Sequence, residues 1–119
     1  MKVKEIYENA LALYISRTDE EDNLEYFAIK LINIALAEVF YNNNQIRQKK
    51  GKPLLEKAAT ISNIEEETGY EEELYAPLTY SLAAKLLQAQ EEYTLAATYN
   101  NQYISLLELV TPALEMEVL

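Results

Sequence analysis

The stretch from Leu74 to Val110 constrains the fold more than any other part of the sequence. Apolar residues recur there at steps of three or four, which is the pattern of one face of a helix with 3.6 residues per turn. Residues 88–92 interrupt the pattern with Gln-Ala-Gln-Glu-Glu, which is polar enough to form a surface turn. The sequence therefore predicts two antiparallel helices joined by a tight turn. The two apolar stripes are Tyr75, Leu78, Leu82, Leu86 and Ala89, then Ala96, Tyr99, Tyr103, Leu106, Leu107 and Val110.

Length and composition favour a single helical domain. The chain has 119 residues, enough for one hydrophobic core. It contains only two glycines and three prolines, which argues against the turn-rich all-β architectures. Abundant Ala, Leu and Glu favour helix. We therefore expect one all-α domain over residues 1–119, with about four helices at 2–16, 23–44, 71–89 and 91–110.

Two connecting segments and the start of the third predicted helix are less regular. The acidic cluster at 18–22 has the spacing of a helix cap. Residues 54–69 lack a helical stripe and are expected to be irregular, with a short extended segment that either stays unpaired in a monomer or pairs across a subunit boundary. Pro77 leaves two alternatives for the third helix. It begins near Ala76 with Pro77 in its first turn, or it begins at Glu71 and kinks.

The second predicted helix is apolar nearly all round, so most of its sides must be covered. Either it is the central helix of the domain, or one face packs on a neighbouring subunit. The chain also has ten tyrosines against two phenylalanines, and tyrosine suits subunit boundaries because its ring can be buried while its hydroxyl reaches a polar partner. The predicted subunit-interface residues are Ile29, Ile32, Leu36, Phe40, Tyr80, Tyr99 and Tyr103.

A basic segment follows the second helix. Residues 46–53 carry four of the ten basic residues on a chain with net charge −10. Gly51 and Pro53 indicate an irregular loop, which is either a solvated connector or a contact for DNA or for an acidic patch of a partner. The overall acidity disfavours free nucleic-acid binding. The candidate contact residues are Arg47, Lys49, Lys50 and Lys52.

Catalytic chemistry has little support in this sequence. There is no Cys or His, so disulfides and Cys/His metal sites are excluded and the commonest general base is missing. No Gly-rich phosphate loop occurs. We expect no enzyme activity, no cofactor and no metal site. The most apolar run, 26–41, contains Lys30, Asn33 and Glu38, which argues against a membrane span, and the N-terminus does not have the pattern of a signal peptide.

Three segments together resemble a known family. They are MKVKEIYENALALY at the N-terminus, TISNIEEETGYEEELYAPLTYSLAAKLL, and EEYTLAATYNNQY. An acidic stretch after a Ser (62–67), a Pro-x-x-Tyr-x-Leu-Ala-Ala-x-Leu helix (77–87), an acidic turn (91–92) and spaced tyrosines (99–103) are similar to the head–tail connector proteins, also called adaptor or neck proteins, of tailed bacteriophages and prophages.

The resemblance implies a non-enzymatic virion component that is assembled in the bacterial cytoplasm. Such proteins form a homo-oligomeric ring, commonly of twelve copies, under the portal protein. DNA passes through the ring without sequence-specific binding, and tail or stopper proteins dock on the far side. In such proteins the loop between the second and third helices is often an insertion or interaction element, and contact of the basic segment with portal or DNA is a hypothesis that its clustering on an acidic chain motivates. The alternative is a small helical adaptor or regulatory protein that binds one protein partner as a monomer or dimer.

Overall fold

The computed structural model describes residues 1–14 and 21–112, and this part of the chain is all-helical, as predicted. Residues 1–14 and 21–112 contain five α-helices instead of about four. The predicted end of the first helix at 15–16 and residues 18–20 of the proposed cap lie outside the described residues. The helices are α1 (Val3–Tyr14), α2 (Glu21–Glu38), α3 (Phe40–Lys49), α4 (Tyr75–Ala89) and α5 (Tyr93–Val110), with a 3-10 turn at Glu72–Leu74.

The extra helix arises because the predicted helix 23–44 is divided at Val39 and continues to Lys49. Val39 has φ −104° and ψ 14°, outside the usual helical values. The hydrogen bonds still run across it, since its N–H donates to the carbonyl of Ala35 (3.2 Å) and its carbonyl accepts from Asn43 (2.9 Å). The predicted end of this helix at residue 44 was therefore wrong, since α3 continues to Lys49.

α4 is the central helix of the fold. α1, α2 and α5 all pack against it, and Leu78 and Leu82 are at most 1% exposed. α2 covers one side of α4 and is therefore not the central helix, and the alternative that one of its faces packs on a neighbouring subunit stays a prediction. The buried residues of α4 are Pro77, Leu78, Thr79, Ser81, Leu82, Ala83, Ala84, Leu86 and Leu87.

Pro77 lies in the first turn of α4, after the 3-10 turn. A proline is tolerated there because the N–H that it lacks would have no partner within the helix. The first of the two alternatives for the third predicted helix is therefore confirmed, and this helix has no proline in its interior.

Two helices end in the same type of reversal, in which one residue takes a left-handed conformation. At the end of α4, Glu91 has φ 62° and Glu92 donates to the carbonyl of Leu87 (2.9 Å). At the end of α3, Gly51 has φ 74° and Lys52 donates to the carbonyl of Arg47 (2.9 Å). The first reversal joins α4 to α5, and the second turns Lys52 back toward α3.

The segment after α3 contacts the N-terminus of the same chain. An isolated antiparallel bridge joins Lys2 and Glu67. Val3 donates to the carbonyl of Glu66 (3.0 Å), and Thr68 donates to the carbonyl of Met1 (3.1 Å). In the described ranges, the segment predicted to be short and extended forms no strand beyond this bridge. None of the described helices is long and apolar enough to cross a membrane.

Candidate functional site

The predicted basic loop is partly helical. Arg47 and Lys49 lie in the last turn of α3, and Lys50 caps it. Because the chain reverses at Gly51, Lys52 returns to the same side as Arg47. Three of the four predicted contact residues, Arg47, Lys50 and Lys52, are thereby brought together around one carboxylate.

That carboxylate belongs to Glu71, whose side chain is only 5% exposed. Arg47 Nη1 lies 3.0 Å from its Oε2, while Lys50 Nζ and Lys52 Nζ lie 3.0 Å and 2.9 Å from its Oε1. Lys50 also contacts Glu73 at 2.8 Å. We call these five residues the Glu71 cluster. Three positive charges face two negative ones within the cluster, so most of the basic charge of the segment is neutralised inside the chain.

The contacts set the ionisation of Glu71. Its hydrogen bond from Lys52 and then that from Lys50 outweigh the opposing effect of burial, and they lower the pKa of Glu71 to about 2. The hydrogen bond from Lys50 also lowers the pKa of Glu73. The hydrogen bonds that Lys50 donates to Glu73 and to Glu71 in turn raise the pKa of Lys50. Glu71, Glu73 and Lys50 therefore stay charged at neutral pH. Lys49 is exposed and has no ion pair within the part of the chain described.

Asparagines of α2 and α3 hold the segment that leads to Glu71. Asn33 donates to the carbonyl of Ile61 (3.0 Å) and accepts from its N–H (2.8 Å). Asn44 makes the same pair of bonds with Leu55, at 3.0 Å and 2.9 Å. A primary amide can do this because it carries both a donor and an acceptor. Asn43 is fully buried and accepts from the Glu71 N–H (2.8 Å). We call these three residues the asparagine clamps.

Replacing Asn44 by Asp should lower the free energy of unfolding by about 1–2 kcal/mol, because an aspartate still accepts from Leu55 but faces its carbonyl without a donor. Urea denaturation at neutral pH measures the change. Asn101→Asp, on the exposed side of α5, makes the same chemical change without such contacts and should shift stability by less than about 0.5 kcal/mol. Equal effects of the two substitutions would contradict the role of the clamp.

Large apolar side chains remain exposed on three of the described helices. Tyr26, Phe27, Ile34 and Tyr41 of α2 and α3 are 51–78% exposed. On α5 the corresponding residues are Tyr93, Leu95, Ile104 and Leu109. We call one exposed face of α2 and α3 the α2 stripe, and it consists of Phe27, Lys30, Ile34, Ala37, Glu38 and Tyr41. Tyr93, Ala97 and Ile104 lie at helical spacing on one side of α5, and we call them the α5 face.

The predicted subunit-interface residues divide into two groups. Ile32, Leu36 and Tyr103 are at most 8% exposed, so a second subunit could touch them only in another conformation. Burial, with a smaller effect of Glu38, raises the pKa of Tyr103 to about 12. Ile29, Phe40, Tyr80 and Tyr99 are partly exposed, and subunit contact through them stays a prediction. Tyr80 of α4 and Tyr99 of α5 pack edge to face, with ring centroids 5.7 Å apart.

The α2 stripe was missed although its spacing is visible in the sequence. Residues 27, 30, 34, 37 and 41 alternate steps of three and four, the spacing of a helix–helix seam. Because α2 also carries apolar residues on its other faces, its own pattern did not indicate which face would be covered by α4. The structure identifies the face that is left uncovered.

A cavity of about 210 Å³ opens between the end of α3 and the end of α5. The cavity lining combines apolar and charged side chains, namely Ile46, Lys49, Lys50, Glu73, Leu109, Val110, Thr111 and Pro112.

Among the described residues there is no group of three or more acidic side chains placed to hold a metal ion.

No protein-family model, no curated protein and no solved structure matches the chain. The proposed function therefore rests on the residues of this chain and on the resemblance of its segments to head–tail connectors.

Proposed function

We propose that the chain is a structural subunit that assembles with copies of itself into a ring and acts as a head–tail connector between the portal and the tail of a phage or prophage. The observation that carries the proposal is the exposure of large apolar side chains on two separate regions, α2 with α3 and α5. Large exposed apolar patches are typical of protein interaction sites.

Ring formation needs two different surfaces, because each subunit contacts its two neighbours head to tail. The α5 face is one candidate, and the partly exposed side of α2 and α3 with Ile29 and Phe40 is a candidate for the surface that receives it. The only charged residue of α5 is Glu108, so the α5 face itself is uncharged.

The Glu71 cluster limits what the basic segment can do in this role. Arg47, Lys50 and Lys52 already have carboxylate partners, so in the proposed connector Lys49 is the residue of this segment that contacts portal or DNA. The net charge of −10 suits a ring through which DNA moves without adhering.

Electron microscopy of the purified chain mixed with the portal protein of the same phage or prophage tests the proposal. A ring of several copies of this chain on the portal is the expected result. Ile104→Asp should abolish the ring because it places a charge in the α5 face, whereas Ser105→Asp, one residue along the same helix and also exposed, should not. No binding to the portal, or equal rings with both variants, would contradict the proposal.

The second candidate is a helical adaptor that binds one protein partner. The α2 stripe favours it, since an exposed face of this length is the size of a single helix-in-groove contact. The same experiment separates the two candidates, because an adaptor would bind its partner one to one and form no ring with portal.

A further inference from the structure

The α2 stripe has matching residue types at equal distances on either side of Ile34. Phe27 is seven residues before Ile34 and Tyr41 is seven residues after it. Lys30 is four residues before and Glu38 four residues after. At 100° per residue, Phe27 lies about 20° to one side of the direction of Ile34, and Lys30 and Glu38 lie about 40° to either side. Tyr41 follows the division at Val39 and belongs to α3, at an exposed position beyond the end of α2. All five side chains are exposed.

We propose that two copies of this chain pair through their α2 stripes, antiparallel, about a twofold axis at Ile34. The axis brings Ile34 of one copy onto Ile34 of the other. Phe27 then packs against Tyr41 of the second copy, and Lys30 reaches Glu38 of the second copy. Each contact occurs twice, as a twofold interface requires.

Charge selects this arrangement over the parallel one. A parallel pairing in the same register would place Lys30 against Lys30 and Glu38 against Glu38, which like-charge repulsion disfavours. In the antiparallel pairing, Lys30 of each copy instead faces Glu38 of the other copy, which is an attractive contact. Glu38 already accepts from Lys85 through Oε1 at 2.8 Å, and a carboxylate has room for further donors, so Lys30 of the second copy adds to that contact.

The exposed area is sufficient for a dimer of moderate affinity. Phe27, Ile34 and Tyr41 are half to four-fifths exposed, which amounts to about 400 Å² of largely apolar surface per copy. Two copies bury about 800 Å², and the charged contacts and a polar rim bring the total toward the lower end of the range of specific interfaces. We therefore expect a dissociation constant on the order of micromolar.

This inference does not depend on the connector role. A ring whose subunits all point the same way has no twofold axis between neighbours. The dimer is therefore the form of the free protein, and it separates when a ring assembles. Loss of portal binding would leave the dimer unaffected, and absence of the dimer would leave the ring proposal unaffected.

Cysteine cross-linking tests the axis directly, because the native chain has no cysteine. In the proposed dimer, the Cα atoms of the two Ile34 residues lie about 5 Å apart, within the range of a disulfide. Mild oxidation of Ile34→Cys should give a covalent dimer at least about tenfold faster than oxidation of Gln102→Cys, an exposed control on α5 outside the α5 face. Equal rates for the two variants would overturn the proposal.

Sedimentation equilibrium tests the charged contacts. The wild-type chain should dimerise at about 100 µM, and Lys30→Glu should raise the dissociation constant at least about tenfold because it faces Glu38 of the second copy. Lys57→Glu, at an exposed position outside the helices, changes the net charge equally and should leave the dimer intact. A monomeric wild type, or equal effects of the two variants, would overturn the proposed pairing.

Discussion

Replacing Glu71 by Gln is expected to lower the free energy of unfolding by about 2 kcal/mol at pH 7. The amide has nearly the same shape but cannot balance Arg47, Lys50 and Lys52, which all contact the carboxylate within 3.0 Å. Breaking a fully buried ion pair costs about 3–5 kcal/mol. The effect is smaller here because the side chains of the three cations are 16%, 37% and 49% exposed and solvent screens them.

The effect of this substitution should depend on pH. The pKa of Glu71 is lowered in the folded chain from its ordinary 4.5 to about 2. A carboxyl group whose folded pKa is depressed stabilises the fold above its unfolded pKa, and it loses that contribution as pH falls toward the folded value. The difference in stability between wild type and Glu71→Gln should therefore be constant above about pH 5 and fall by roughly half at about pH 3.

Urea denaturation of both proteins at several pH values measures this difference. Glu56→Gln, at an exposed position with no ion pair in the described part of the chain, removes the same charge and should change stability by less than about 0.5 kcal/mol at every pH. A difference between wild type and Glu71→Gln that does not change with pH would contradict the account of the Glu71 cluster.

Replacing Leu82 by Ala is expected to have the largest effect, a loss of about 3–4 kcal/mol. Leu82 is fully buried on α4, the helix against which α1, α2 and α5 all pack. The substitution leaves a cavity among helices that cannot all move inward at once, so the loss of packing adds to the loss of hydrophobic burial.

Thermal and urea denaturation followed by circular dichroism measure this loss. Leu109→Ala makes the same chemical change at a side chain that is 80% exposed, and it should cost less than about 0.5 kcal/mol. A loss below about 1 kcal/mol for Leu82→Ala would contradict the central position of α4.

The helices that the sequence predicted best are those whose burial follows one face. α4 and α5 both follow regular apolar stripes, and the reversal at Glu91 lies in the polar stretch predicted to be a turn. α5 begins at Tyr93, two residues later than predicted, because Glu91 and Glu92 close the end of α4. Such local signals determine the type of an element better than its last residue.

The asparagines illustrate where local propensity fails. Three in succession at 42–44 predict a helix end, since asparagine is a poor helix former. In the fold, Asn43 and Asn44 instead hold backbone groups at Glu71 and Leu55. These contacts are formed with residues 11 and 28 positions away, and no local pattern in the sequence indicates them.

The pairing of the basic segment could not be predicted for a similar reason. Its clustering on an acidic chain left a solvated connector or a contact for DNA or a partner as the alternatives, whereas Arg47 and Glu71, which meet in the fold, are 24 residues apart in the sequence. The run Glu71-Glu72-Glu73 could have indicated the pairing, because it follows the irregular segment and provides carboxylates of the required charge.

Sedimentation velocity of the purified chain tests most directly the central claim that its exposed apolar residues contact other copies. Over about 1–200 µM, and with portal protein added, the account predicts that wild type associates beyond its 13.7 kDa monomer. The double variant Ile34→Asp/Ile104→Asp should remain monomeric, with unchanged helix content. A wild-type chain that stays a 13.7 kDa monomer under all these conditions would contradict the account.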